Sequence, residues 1–224
     1  PMEIERILHC QGFGSRKSCR SLVRQGRIRI DDQVCDNPWA DVETSGLVFS
    51  VDGVAWPYRE RATLALYKPP EFECSRRPVH HPSVYSLLPI PLLERGVQPI
   101  GRLDEDTTGL LLFTDDGRLN HVLTSPRHKI AKTYRVTLKH PVDPGMIESL
   151  LHGVVLRDTP DLVRAVACEQ TALHELKLVI SEGKYHQVKR MVAAAGNRVE
   201  ALHRSAVGGF SLPENLLPGQ WSWL

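Results

Sequence analysis

Near the start of the chain Ile4, Ile7 and Leu8 recur at helical spacing, and Gly12 follows where a C′ glycine ends a helix. Ser15 then serves as the N-cap of a second helix. Cys19, Leu22 and Val23 form its apolar stripe and Gly26 closes it, while Arg16, Arg20 and Arg24 stack on another face. Arg27-Ile28-Arg29-Ile30 alternates as a strand, Asp31-Asp32 turns it, and Gln33-Val34-Cys35 returns. Leu47-Val48-Phe49 and Val54 add short strands. From Trp56 to Arg61 a proline and charges break the apolar pattern, which predicts a linker.

A second, larger pattern begins at Thr63. Thr63-Leu64-Ala65-Leu66-Tyr67 predicts a strand, and the Pro-, His- and Arg-rich segment from Glu71 to Gln98 predicts loops with one short helix. Leu110 to Phe113 is a continuous apolar run typical of a buried strand, closed by the turn signal Asp115-Asp116-Gly117. Leu119 to Leu123 predicts one or two helical turns, and Lys132 to Leu138 alternates as a strand. Asp143-Pro144 opens a helix carried by Met146, Ile147, Leu150 and Leu151 and ended by Gly153. Strands are expected over Leu162–Cys168 and Leu173–Ile180. A helix through Val188, Met191, Val192 and Ala195 follows, and Arg198–Val207 is the last strand. Strands succeed one another with few crossover helices, so the fold class is α+β with a mixed, mostly antiparallel sheet. The expected organisation is a small domain over 1–58, a linker over 59–62 and a large domain over 63–224.

Composition narrows the possible partners. The 224 residues carry a formal charge of only +2, so the distribution of charge matters more than its sum. Arg6 to Ile30 holds seven basic residues and no acid, and Asp31 to Asp52 holds six acids and no base. This segregation describes a small unit with a basic face. The five cysteines are odd in number, widely spaced and without a C-x-x-C pair, which argues against a disulfide framework or a zinc site. No apolar run approaches the roughly 20 residues of a membrane span, and no signal-peptide pattern opens the chain. A cytoplasmic, monomeric protein with no membrane partner is expected.

The stretch Gly101-Arg102-Leu103-Asp104-Glu105-Asp106-Thr107-Thr108-Gly109 carries the candidate chemistry, because an acid-rich loop here feeds directly into a buried strand. A carboxylate at such a junction is held by a rigid element and can face a cleft. An acidic surface turn is the plain alternative. Asp104-x-Asp106-x-Thr108 also matches the nucleophile motif of haloacid-dehalogenase-type phosphohydrolases, but no further pair of acids follows to hold magnesium. A calcium loop is suggested by Asp104, Asp106, Thr108, Gly109 and Asp115, yet the following residues read as a strand where a calcium hand needs a helix.

Two resemblances account for more residues. Gly14-Ser15-Arg16, then Leu22-Val23-x-x-Gly26-Arg27-Ile28-x-Ile30-Asp31, then Val34 resemble the small αL-type RNA-binding domain of a ribosomal protein and several RNA-modifying enzymes. The opening Glu3-Ile4-Glu5-Arg6 departs from the Arg-Leu-Asp-Lys-like start of that family. Gly101-Arg102-Leu103-Asp104, Thr108-Gly109-Leu110-Leu111, Lys132-Thr133-Tyr134 and Glu182-Gly183-Lys184-Tyr185-His186-Gln187-Val188-Lys189-Arg190-Met191 together resemble the pseudouridine synthases that modify ribosomal RNA. The likeness runs from about residue 63 to the C-terminus. It is nearest to the branch acting on small-subunit (16S) RNA, through Asp106-Thr107-Thr108-Gly109, Thr114-Asp115-Asp116-Gly117 and Thr124-Ser125-Pro126-Arg127-His128. Tyr67 stands where the family usually has Asn, and Glu71 where Gly is common.

The resemblance implies a catalytic domain that isomerises uridine, with Asp104 as the catalytic carboxylate, Lys189 as its cationic partner and Tyr134 as the active-site tyrosine. Isomerisation involves no net redox change, so no cofactor and no metal is expected. The implied partner is ribosomal RNA, free or in a small-subunit assembly intermediate. Candidate RNA ligands are Arg16, Lys17, Arg20, Arg24 and Arg27 in the small domain and Arg102, Arg127, Lys129, Lys132 and Arg190 in the large one. Two alternatives remain open at this point: a large-subunit enzyme of the same family, and a non-catalytic RNA-binding assembly factor. His186 and His203 receive no role, and Asp106, Asp115 and Asp116 are read as loop and turn formers.

Overall fold

The computed structural model describes residues 1–224, which divide into two units: Pro1–Thr63 with Leu88–Gln98, and Leu64–Leu87 with Pro99–Leu224.

In the first unit, α1 (Ile4–Cys10) buries Ile4, Ile7 and Leu8, and α2 (Arg16–Arg24) buries Cys19 and Val23. The Ser15 hydroxyl accepts from the Ser18 backbone N–H at 3.1 Å, capping α2 as its sequence predicts. The strands Gln33–Val34, Ile28–Ile30, Val48–Val51 and Val54–Pro57 form an antiparallel sheet in that order. A further pairing, Met2–Glu3 with Asp41–Val42, has no periodicity long enough to announce it.

The expected domain boundaries change in two places. Leu88–Gln98, assigned above to the large domain, clusters with the first unit, and so do residues 59–63. Gln11 explains both. Its buried side chain donates to the Arg59 carbonyl and accepts from the Arg59 N–H, each at 3.0 Å, while Arg95 donates to the same Gln11 oxygen at 3.0 Å. The short helix α3 (Ile90–Glu94) then lies against Gly12, where an added Cβ would sit 2.0 Å from the Pro91 carbonyl oxygen.

The second unit is built on a large sheet whose main path runs Ala167–Ala172, Glu175–Ile180, Lys132–Leu138, Val199–Val207, Thr108–Thr114, Thr63–Lys68 and Trp221–Trp223. Lys132–Leu138 is antiparallel to both neighbours, and Val199–Val207 runs parallel to Thr108–Thr114. The sheet is therefore mixed and mostly antiparallel, as expected. Gly109 makes the parallel pairing possible. It has φ 110°, and a Cβ there would fall 2.1 Å from the Arg204 carbonyl oxygen, so the close approach excludes any side chain.

Two further helices come before the candidate site. In α4 (Gly117–Thr124) the Asp116 carboxylate accepts from the Arg118 and Leu119 N–H groups, so Asp116 is a helix cap and not only a turn former. In α5 (Pro144–His152) Asp143 caps through the Gly145 N–H at 2.8 Å. Met146 and Leu150 of α5 pack with Val188, Met191 and Val192 of α6 (Gln187–Ala194) and with Val136, Leu176 and Leu178 of the sheet. On the other side of the sheet path, Ala65, Ile100, Leu110, Leu112 and Val207 form a second cluster.

Two strand expectations need correction. Val163 makes only an isolated antiparallel bridge with Val154, and the regular strand begins at Ala167, because Ala165 bonds back to Leu150 at the end of α5. The following strand begins at Glu175, since residues between Ala172 and Glu175 form the hairpin turn.

Candidate active site

The loop bearing Asp104 is held from both ends and from beneath. The Ile100 N–H bonds to the Leu112 carbonyl at 2.7 Å, and the Thr107 N–H bonds to the Asp104 carbonyl at 3.0 Å, closing a tight turn. Beneath it lies Lys68, a fully buried lysine at the end of the strand Thr63–Lys68. Its ammonium donates to the carbonyls of Pro69 at 3.0 Å, Glu105 at 3.0 Å and Thr107 at 2.7 Å. Burial pulls the Lys68 pKa down, against the charges of Cys74, Asp106, Asp104 and Glu105. Three carbonyl oxygens and no carboxylate in direct contact make this ammonium a clamp for the loop backbone.

Glu71 contributes to the same support. Its N–H bonds to the Glu105 carbonyl at 2.7 Å, and it adopts φ 64°, the left-handed backbone that glycine enters without steric cost. The chain thus keeps a glycine-type turn at a position where the resembling family commonly has Gly. Tyr67, the other departure, packs edge-on against His203 with ring centroids 5.4 Å apart.

α6 supplies the cation. Lys189 Nζ lies 3.5 Å from Asp104 Oδ2 and 3.0 Å and 3.1 Å from the two Asp106 oxygens. Partial burial draws the Lys189 pKa down, but the hydrogen bond and charge of Asp106 and the charge of Asp104 outweigh it, leaving the pKa above the ordinary lysine value. Asp106, expected as a loop former, is the nearer partner of Lys189. His186, given no role above, places Nε2 at 3.4 Å from Asp104 Oδ2. Arg190 turns away from this cluster: it donates to the Tyr185 carbonyl at 2.8 Å and pairs with Asp158. The turn of about 100° between successive helical residues keeps Lys189 and Arg190 on separate faces.

Asp104, Lys189, Arg102, Lys132 and Tyr134 line one pocket of about 320 Å³, whose apolar walls include Ile180, Leu202 and Val207. Tyr134 is 8% exposed and reaches the pocket from the central strand Lys132–Leu138. Burial, then the charge of Arg204, lowers the Lys132 pKa against the opposing charge of Glu182. Arg204, also buried, donates twice to the Leu110 carbonyl at 3.1 and 2.9 Å and ties the strand after the Asp104 loop to the strand beside Tyr134. Arg127 and Lys129 are exposed on and after the short 3-10 turn Pro126–His128, outside the pocket lining. A second cavity of about 670 Å³ shares Asp104, Arg102, Lys184, His186 and Lys189 and extends to Glu73 and Tyr185.

The basic residues of the first unit are not equivalent. Arg20 pairs at 3.1 Å with Glu5, whose side chain is nearly buried. Arg27 forms a two-pronged bond with Asp52, and the Arg24 guanidinium lies 5.2 Å over the Trp39 ring. Arg16 and Lys17 are exposed at the start of α2. The three-arginine stripe is therefore partly neutralised within the unit, and Glu5, the departure noted in the opening helix, is the residue that engages Arg20.

Lys68 and Arg204 had a readable signal. Each continues the parity of buried apolar residues on its strand, Lys68 with Leu64 and Leu66 and Arg204 with Leu202. Nothing in the sequence marked the approach of His186 to Asp104.

The family described as RNA pseudouridylate synthase matches residues 62–194. The ribosomal small subunit pseudouridine synthase A of Vibrio parahaemolyticus is 38% identical, covering 100% of this chain and 96% of that protein. The protein of the same name from Escherichia coli K12 is also 38% identical, covering 98% and 95%. A solved pseudouridylate synthase structure superposes with a TM-score of 0.69 at 32% identity, covering 100% of this chain and 96% of the other. This chain belongs to the RNA pseudouridylate synthase family.

Proposed function

We propose that this protein isomerises a uridine of small-subunit ribosomal RNA to pseudouridine, acting as a monomer in the cytoplasm on 16S RNA or an assembly intermediate. The observation that carries the reading is the meeting of Asp104, Tyr134 and Lys189 at one pocket with apolar walls. The named relatives support the small-subunit target, since they align over nearly their whole length.

The reaction breaks the bond between N1 of the base and the ribose anomeric carbon, turns the base, and joins the same carbon to C5. The hydrogen on C5 leaves as a proton and N1 gains one, so atoms and redox state balance without a co-reactant. A carboxylate beside the sugar serves as nucleophile or as base in such a sequence, as carboxylates do in glycoside cleavage. Asp104 fills that place, with Lys189 and His186 on one oxygen to fix its direction. Tyr134 offers a flat ring to the target base, and the walls formed by Ile180, Leu202 and Val207 hold the detached base out of water while it turns.

The base reaches the pocket only when flipped out of its helix, which costs a few kcal/mol. Arg102 at the pocket mouth is placed to fill the gap or hold a flanking phosphate, and Lys132 inside the pocket holds another. Arg127 and Lys129 offer further phosphate contacts in the second unit, and Arg16, Lys17 and Arg24 offer contacts of their own in the first. The test is release of tritium from uridine labelled at C5 in bacterial small-subunit RNA or its assembly particles. Release by this protein with appearance of pseudouridine is expected, and no release from either substrate refutes the reading.

A further inference from the structure

The second cavity is not required by the isomerisation just described, and it presents an exposed aromatic side chain. Tyr185 has 74% of its surface open, yet it is not loose: its ring stacks on His186 with centroids 3.9 Å apart and planes 16° from parallel. His186 in turn is anchored. It adopts φ 45° at the start of α6, and its Nε2 lies 3.4 Å from Asp104. The stack therefore continues the wall of the catalytic carboxylate outward into solvent, with one face of Tyr185 covered by imidazole.

The two cavities meet at Asp104, which lines both, together with Arg102, Lys184 and Lys189. The inner one holds Tyr134 and the apolar walls. The outer one is polar, with Tyr185 and His186 as its aromatic surface. A chain of nucleotides with one base in the inner pocket has its next residue within reach of the outer one, because the two share Asp104, Arg102, Lys184 and Lys189. A preformed aromatic face beside cations is the arrangement on which unpaired bases stack, with the cations on the phosphates.

We propose that Tyr185, backed by His186, is a positioning residue that stacks on an unpaired base adjacent to the isomerised uridine, with Lys184 and Arg102 on the intervening phosphates. The proposal rests on the pseudouridine synthase reading and adds to it a second nucleotide subsite. Stacking holds the flipped strand before and throughout the reaction, so it acts on binding and leaves the chemical step alone. The hydroxyl of Tyr185 has no part in it.

The experiment compares the wild type with Tyr185→Ala and Tyr185→Phe on bacterial small-subunit RNA. It measures equilibrium affinity by filter binding and, separately, kcat and KM for tritium release. Because Tyr185 is exposed, neither variant threatens the fold. Tyr185→Ala is expected to weaken affinity and raise KM by about tenfold or more with kcat nearly unchanged, and Tyr185→Phe to behave as the wild type. Wild-type affinity in Tyr185→Ala overturns the proposal, as does a Phe variant as weak as the Ala one, which would assign the effect to the hydroxyl. Affinity is read whether or not tritium is released, so an inactive wild type refutes the isomerase reading while the Ala and Phe affinities still decide the stacking role.

Discussion

Lys189 lies closer to Asp106 than to Asp104, at 3.0 Å against 3.5 Å, so the cation at this site is shared between two carboxylates. Asp106 is largely exposed, whereas Asp104 lines the pocket. Asp106 thus tethers the Lys189 chain, and in the proposed reaction Asp104 is the carboxylate that faces substrate. Asp106→Asn is expected to lower kcat/KM only a few-fold, because the amide oxygen still accepts from Lys189. Lys189→Ala is expected to lose about 100-fold, the scale for removing one preorganised charge from an active site. Steady-state tritium release on both variants checks this, and equal losses would reverse the assignment.

Lys132 and Lys189 differ in proton affinity, and the sign of each difference is fixed by its surroundings. Lys132 is pulled below the ordinary lysine value by burial and by Arg204, so it loses its proton before an exposed lysine as pH rises. Lys189 lies above that value and keeps its proton longer. Titration of isotope-labelled lysine side chains by NMR should show Lys132 losing its proton before Lys189. Affinity for RNA should then fall on the alkaline side first through Lys132, and Lys132→Arg should extend the plateau upward. A profile unchanged by that substitution would remove Lys132 from the phosphate contacts.

Lys68→Met separates support of the catalytic loop from contact with RNA. The methionine fills similar space but leaves the carbonyls of Pro69 and Thr107 without their buried donor, while the Glu105 carbonyl keeps the Glu71 N–H. Each acceptor left unpaired costs about 1–3 kcal/mol, so a clear fall in Tm is expected, with a fall in kcat as the Asp104 turn loosens. Affinity for RNA should be retained, because Lys68 is buried. Thermal unfolding and filter binding on the same preparation measure both effects, and an unchanged kcat would show that the turn needs no clamp.

Much of this organisation was legible in the sequence, for identifiable reasons. The Ser15 and Asp143 caps, the alternating strand at Lys132–Leu138 and the apolar run at Leu110–Phe113 are local signals, and local signals survive into the fold. The four ordered motifs named the family because their spacing over the chain is specific. What stayed hidden was non-local. No periodicity joins Gln11 to Arg59 and Arg95, so the clustering of Leu88–Gln98 with the first unit has no signal in the sequence. Nor does spacing along the chain tell that Asp106 competes for Lys189 or that Glu5 engages Arg20, since those pairs form only when distant segments pack. The buried cations Lys68 and Arg204 were readable by strand parity but look like surface residues by type.

The pairing of Arg20 with Glu5 divides the basic helix into two roles. Arg16 and Lys17 are free to meet phosphates, and replacing both with Ala should lower RNA affinity and reduce its salt slope by about two. Arg20→Ala should instead lower Tm, because it leaves the nearly buried Glu5 carboxylate without its cation. Affinity measured across salt concentrations, with thermal melts alongside, tests the division. A stable Arg20→Ala variant with a reduced salt slope would place Arg20 on the RNA.

The central claim is that Asp104 carries out the chemistry while other residues hold the RNA. Asp104→Asn keeps the shape of the side chain and removes its charge, and tritium release from C5-labelled uridine in small-subunit RNA reads the reaction directly. The expected result is loss of release to background in the variant with RNA affinity near that of the wild type. Release by Asp104→Asn at a rate comparable to the wild type would contradict the claim.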